Sequence, residues 1–234
     1  MPTKSVPLKM KYLFLISDEF IVFDPKQVLP QYIIHFGMSQ NSNISKNLKS
    51  MKPPPGQGFS KKNVKPSRTV DDSDPFDIEF RMVEGHFLRN IRNAQGKKIS
   101  SIDFVYNDAL QKKFDGKQTE FKRKKIPDDT IFAYHGTNPQ NIDSILKTNL
   151  NRKVGQAYGP GYYFSEFPDF SLGYGQLIVF KVLPGKEHTG SDNAHTGPNA
   201  RFQSKKVQAT GEYGQILVID NTEQFVPYCV LHLS

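Results

Sequence analysis

One cysteine, Cys229, stands in a chain of 234 residues. A lone thiol cannot close an internal disulfide, and there is no cysteine cluster to hold zinc. Long apolar runs are missing as well. No segment reaches the ~20 apolar residues that cross a bilayer. The run Tyr12–Ile16 near the N-terminus is too short for the core of a secretory signal, and Asp18 and Glu19 follow it at once. A nuclear or cytosolic protein with no membrane partner is expected. Apolar residues make up only 37% of the chain and the mean hydropathy is −0.54, which suits a soluble protein with a solvated tail or linker. Acidic residues are outnumbered, 23 against 31 lysines and arginines, for a net charge of +8. That balance favours an anionic partner without choosing between a dinucleotide, a nucleic acid and an acidic protein.

Most of the information lies in residues 131–174, IFAYHGTNPQNIDSILKTNLNRKVGQAYGPGYYFSEFPDFSLGY. Ile131–Tyr134 is a short apolar run of the kind that forms a buried strand. His135-Gly136-Thr137 is expected to stop it. Asn138 is a good N-cap and Pro139 is tolerated at the first helical position. Ile142, Ile145, Leu146 and Leu150 then recur at helical spacing, so this helix buries one face. Gly159-Pro160-Gly161 and the aromatic cluster Tyr162-Tyr163-Phe164 follow. Ser171 and Tyr174 lie three apart, close to one face of a short helix. Alone, each piece has an ordinary reading. A His-Gly at a strand end is a turn, a Gly-x-Gly is a turn, and aromatics beside glycine are core.

Taken in order, strand, His-Gly-Thr, helix, Gly-x-Gly-x-Tyr-Phe-Ser, Ser-x-x-Tyr and strand, the stretch resembles the catalytic domain of the poly(ADP-ribose) polymerase family, the diphtheria-toxin-like ADP-ribosyltransferases. The resemblance runs over roughly residues 76–234. It implies an α+β fold with two antiparallel β-sheets, flanking helices and an NAD cleft between the sheets. It implies NAD as substrate, a protein acceptor and no metal. By resemblance His135 binds the ribose, Gly136 holds the nicotinamide carboxamide through its backbone, and Ser171 does so through its hydroxyl. Tyr163 and Tyr174 stack on the ring, and Thr137 completes the NAD-contacting motif. The residue types suit the chemistry. Breaking the nicotinamide–ribose bond builds positive charge on the sugar, as in glycoside cleavage. A flat ring can be held between aromatic faces, and a glycine leaves its backbone groups open to an amide.

The family's third motif residue is usually a Glu five positions before an Asp at a strand end. Here Asp220 ends the strand Gln215–Asp220 and the matching residue is Gln215. Gln keeps a hydrogen-bonding oxygen but carries no charge and accepts no proton. The resemblance then implies transfer of a single ADP-ribose, or a catalytically weak NAD- or ADP-ribose-binding module. Glu212 lies nearby but faces the other side of a regular strand.

The remaining chain divides into residues 1–36, 37–75 and 76–234. In the first, Phe20–Phe23 and Tyr32–Phe36 read as strands. Asp18–Asp24 lines up with Gly214–Asp220, and Gln27, Pro30 and His35 match Gln224, Pro227 and His232 after one inserted residue. This segment resembles the tail of a second transferase domain, with Glu19 where the other copy has Gln215. It is either a relic or a working strand. Edge pairing with Glu19 away from the ribose is the expectation kept. Residues 37–75, with Pro53-Pro54-Pro55 and many lysines, read as a flexible basic linker that could touch nucleic acid. Residues 76–92 suggest paired strands. Ile99, Ile102, Tyr106, Leu110 and Phe114 suggest one amphipathic helix over 99–121. Leu177–Val182 and Tyr228–Leu233 are buried strands. Residues 186–211 read as an irregular loop whose His188 and His195 lack the company of a metal site, and in the family this loop shapes the acceptor side.

Overall fold

The structure is a computed structural model that describes residues 43–67, 73–93, 96–151, 157–190, 192–197, 200–209 and 214–234. The strands expected in residues 1–36, and both Glu19 and Glu212, lie outside the described residues. No helix among the described residues is long and apolar enough to cross a membrane.

Nine strands form one hydrogen-bonded sheet: β1 (Ser60–Val64), β2 (Ile99–Tyr106), β3 (Ile131–Thr137), β4 (Tyr162–Ser165), β5 (Gln176–Val182), β6 (Glu187–His188), β7 (Ser204–Gln208), β8 (Gln215–Ile219) and β9 (Phe225–Leu233). Their order is β1-β2-β9-β5-β3-β4-β8-β7-β6, antiparallel throughout except for the short β6–β7 pairing. β3 and β5 share seven registered pairs, from Ile131↔Val182 to Thr137↔Gln176. β3 and β4 share one, Tyr134↔Ser165. The two sheets of the expected fold are therefore two halves of a continuous sheet, joined at a seam one residue pair wide.

Helices α1 (Asn43–Ser50), α2 (Pro75–Asn90), α3 (Asp108–Arg123), α4 (Ile142–Thr148) and α5 (Pro168–Leu172) flank the strands. α2 replaces the strand pair expected over 76–92. Asp74 caps it by accepting from the Phe76 N–H, and Pro75 sits in its first turn. Phe76, Phe80, Val83 and Phe87, spaced four, three and four apart, pack on Ile102, Tyr134, Leu177 and Leu231 of the sheet. Each such ring contributes about 1.5–3 kcal/mol by leaving water. The helix expected over 99–121 is half strand. Residues 99–106 form β2, and Asn107 then caps α3 through the Leu110 N–H.

The opposite face of the sheet carries Ala133, Phe164, Ile178, Phe180, Leu217 and Ile219, packed against Ile145 and Leu146 of α4. His135, Gly136 and Thr137 do not end β3; they continue it opposite β5. The loop expected over 186–211 contains β7, registered against β8 from Lys205↔Val218 to Gln208↔Gln215. Within the expected linker, α1 and β1 are ordered. Leu48 and Phe59 are buried, and β1 pairs with β2. Two of its lysines have partners: Lys61 meets Asp103 at 3.4 Å and Lys62 lies 3.9 Å over the Phe76 ring. An edge strand tolerates such polar residues, because one long side is in solvent.

Between α2 and the sheet lies a buried cluster of ionisable groups, Glu79 of the helix and Lys181 of β5. Glu79 bonds the Tyr228 hydroxyl, and Lys181 sits 4.6 Å over the Tyr228 ring. Burial, opposed in part by Lys181, pushes the Glu79 pKa up to about 7. In the unfolded chain the group ionises near the ordinary glutamate value of 4.5. The folded state therefore keeps a proton that the unfolded state loses, and the stability this group provides is full below pH 4.5 and is lost as pH rises toward 7. Relative to Glu79→Gln, the wild type should lose on the order of 3 kcal/mol between those limits, at about 1.4 kcal/mol per pH unit. Urea titrations of both proteins at pH 4.5 and 7.5 check this; equal differences at the two pH values would contradict it.

Candidate active site

The motif residues gather at the seam. Beyond Tyr134 the registered pairs on the β4 side of β3 stop, and His135 takes over the connection. Its Nδ1 lies 3.0 Å from the Tyr163 carbonyl. A carbonyl only accepts, so Nδ1 carries the proton. Burial holds the His135 pKa below its ordinary value, so the ring is neutral at pH 7. In the neutral tautomer Nε2 is then an acceptor, suited to a hydroxyl proton. The ring rests against Phe164 and Phe180, each 6.0 Å away between centroids.

Gly136 is held by close packing. A Cβ there would fall 1.8 Å from the Ser171 carbonyl oxygen and 3.0 Å from Tyr174 Cβ. No other residue type fits while α5 stays where it is. Ser171 is buried and donates its hydroxyl to the Tyr134 carbonyl at 3.1 Å, leaving oxygen lone pairs free to accept an amide N–H. Thr137 is buried behind them, its Oγ1 accepting from Asn141 Nδ2 at 3.3 Å. Tyr174 follows the helix and is 62% exposed. Its ring lies 5.6 Å from Phe170, which packs in one cluster with Tyr158 and Tyr163. The Tyr163 hydroxyl donates to the Gly159 carbonyl. Gly161, at φ 151°, lets β4 start against Ile219, whose carbonyl would lie 2.9 Å from a Cβ. His195 reaches this turn, its Nε2 3.2 Å from the Pro160 carbonyl. Among the described residues no group of three or more His, Cys, Asp or Glu is arranged to hold a metal.

Over residues 77–179 the sequence matches the family described as the poly(ADP-ribose) polymerase catalytic domain. These residues belong to that family. No curated protein matches the chain. The poly(ADP-ribose) polymerase domain has an α+β ADP-ribosyltransferase fold, and the family it belongs to uses NAD as substrate. The matched stretch begins in α2 and ends in β5, and so takes in His135, Gly136, Thr137, Tyr163, Ser171 and Tyr174. Gln215, the first residue of β8, lies beyond it.

Two supports of these residues carry no motif signal in the sequence. Asp169 accepts from the backbone N–H groups of Arg92 and Asn93 at 2.9 and 2.8 Å, and Arg92 stacks 3.9 Å over Phe167. These contacts tie α5, the carrier of Ser171, to the end of α2. On the other side of β3, the buried His86 bonds the Tyr134 hydroxyl at 2.7 Å through Nδ1, while its Nε2 meets the Asn90 amide at 3.1 Å. Such contacts depend on which elements become neighbours in three dimensions.

Gly136→Ala should fail by steric conflict with backbone that has little room to yield, costing at least the ~1–3 kcal/mol typical of overpacking. A thermal shift measurement checks it, and an unchanged midpoint would contradict the close contact. Ser171→Ala should fold normally and lose about 1–2 kcal/mol of affinity for benzamide, a nicotinamide-like amide, or roughly 5–30-fold. Calorimetry would contradict the assignment if both proteins bound benzamide equally.

Proposed function

We propose that this domain transfers a single ADP-ribose from NAD to a protein side chain and releases nicotinamide. The observation that carries the reading is the convergence of Gly136, Ser171 and Tyr174. The Ser171 carbonyl and Tyr174 Cβ occupy the space a side chain at 136 would need. That leaves a backbone edge, a hydroxyl and an exposed aromatic ring together, the three features a nicotinamide carboxamide calls for. Beside them, His135 offers Nε2 to a ribose hydroxyl, with its tautomer set by the Tyr163 carbonyl. In this reading Tyr163 and Tyr174 hold the nicotinamide ring, and Thr137 lines the base of the cleft.

The chemistry follows from the leaving group. Nicotinamide departs with the bonding electron pair, and positive charge develops on the ribose. His135 and the carboxamide contacts orient the bond, and a nucleophilic side chain of the acceptor then adds to the ribose carbon. Gln215 can hydrogen-bond the sugar but adds no charge against the developing cation. Losing such a charge raises the barrier by on the order of a few kcal/mol. Slow transfer of one unit, without chain growth, is the expected outcome.

Automodification with labelled NAD tests this. A single slow band is expected and Gln215→Glu should raise turnover; long ladders would refute single transfer. Benzamide binding without any labelled product would instead favour an NAD-binding module, a reading supported by the neutral side chain at 215.

A further inference from the structure

Gln215 is neutral, yet a carboxylate stands directly across from it. Glu166 continues β4 past Ser165, and its backbone N–H points to the Gln215 carbonyl at 3.4 Å. The register Ser165↔Ile216 places Glu166 opposite Gln215. Opposed residues of antiparallel strands share a face. On the far side of β8, Lys206 opposes Leu217 and Gln208 opposes Gln215. Alternation therefore puts Glu166, Gln215, Leu217 and Lys206 on one face. Lys206 Nζ meets Glu166 Oε1 at 3.2 Å. β4 and β7 flank β8, about 10 Å apart at the usual strand spacing. The ion pair must then cross the face of β8 beside Gln215. His135 looks onto this same face, since its ring packs on Phe164, which opposes Leu217.

The carboxylate is not cancelled by the lysine. Glu187 Oε2 also lies 3.8 Å from Lys206 Nζ, so two carboxylates share one ammonium, and the group keeps a net charge of −1 (−1 −1 +1). The Glu166 side chain is 40% exposed, so a ligand can reach it.

We propose that Glu166 supplies the carboxylate of the ribose site in place of residue 215, with Lys206 positioning it by drawing it across β8. This rests on the reading of the seam as an NAD site. In the step, the bond between the ribose carbon and the nicotinamide nitrogen breaks and its electron pair leaves with neutral nicotinamide. The oxygen of water or of an acceptor then bonds to that carbon, and its proton passes to solvent. Glu166 forms no bond; its charge stabilises the cationic sugar between the two events.

Nicotinamide release by the full chain, measured beside benzamide binding, decides the matter. Glu166→Gln should lower kcat by about 10-fold or more, with benzamide affinity unchanged. Lys206→Met should lower kcat by less and leave KM for NAD nearly unchanged. Gln215→Glu should raise kcat, and in that background Glu166→Gln should cost little, because the charge is then supplied from β8. Wild-type turnover in Glu166→Gln would overturn the proposal. So would an equal loss in both backgrounds, which marks a structural role, or benzamide binding with no release by the wild type. Failure of the wild type to bind benzamide would instead remove the NAD-site reading itself.

Discussion

Tyr134 joins more of this structure than any motif residue beside it. Its backbone makes the single registered pair between β3 and β4, through Ser165. Its carbonyl accepts from the Ser171 hydroxyl, and its phenol meets His86 of α2. It is 1% exposed. The seam of the sheet, the helix that carries Ser171 and the long helix α2 thus meet at one side chain and its peptide. One registered pair closes the seam, and the residue that makes it is held from α2 and α5 as well as from β4.

Neutral imidazoles are the electrical counterpart of this arrangement. His86 is buried, and burial pushes its pKa down to about 3. Burial also lowers the pKa of His135, with the Tyr163 carbonyl opposing. Each ring has its tautomer set by a neighbour that has only one role to offer. A protonated ring at position 135 would lose the acceptor nitrogen, and in the proposed reaction it would place positive charge beside the cationic sugar.

Much of the fold is legible in the sequence where apolar runs are bounded cleanly. β3, α4, β5, β8 and β9 fall close to where their patterns put them. The exceptions have physical causes. Ile99 and Ile102 look like helical neighbours because a bulge separates them, with Ile99 registered to Leu233 and Ser101 to His232, so a three-residue gap keeps both on one face of β2. In α2, Phe80–Val83 and Phe87–Ile91 resemble two short strands, although Asp74-Pro75 and the spacing of Phe76, Phe80, Val83 and Phe87 carry the helical signal. β1 is polar because it is an edge. At the site, residue identity points to His135, Gly136, Ser171 and Tyr174. The opposition of Glu166 to Gln215, and the grip of Asp169 on the peptide after α2, follow from register and packing, which no single segment encodes.

The exposure of Tyr174 has a thermodynamic consequence. A large aromatic ring left 62% in solvent leaves apolar surface exposed to water. A flat ligand stacked there removes that surface from water together with its own. Burial of apolar surface lowers the heat capacity of the complex below that of its separated parts. The enthalpy of occupying the cleft therefore grows more favourable on warming, while the entropy grows less so. The affinity changes far less with temperature than either quantity alone.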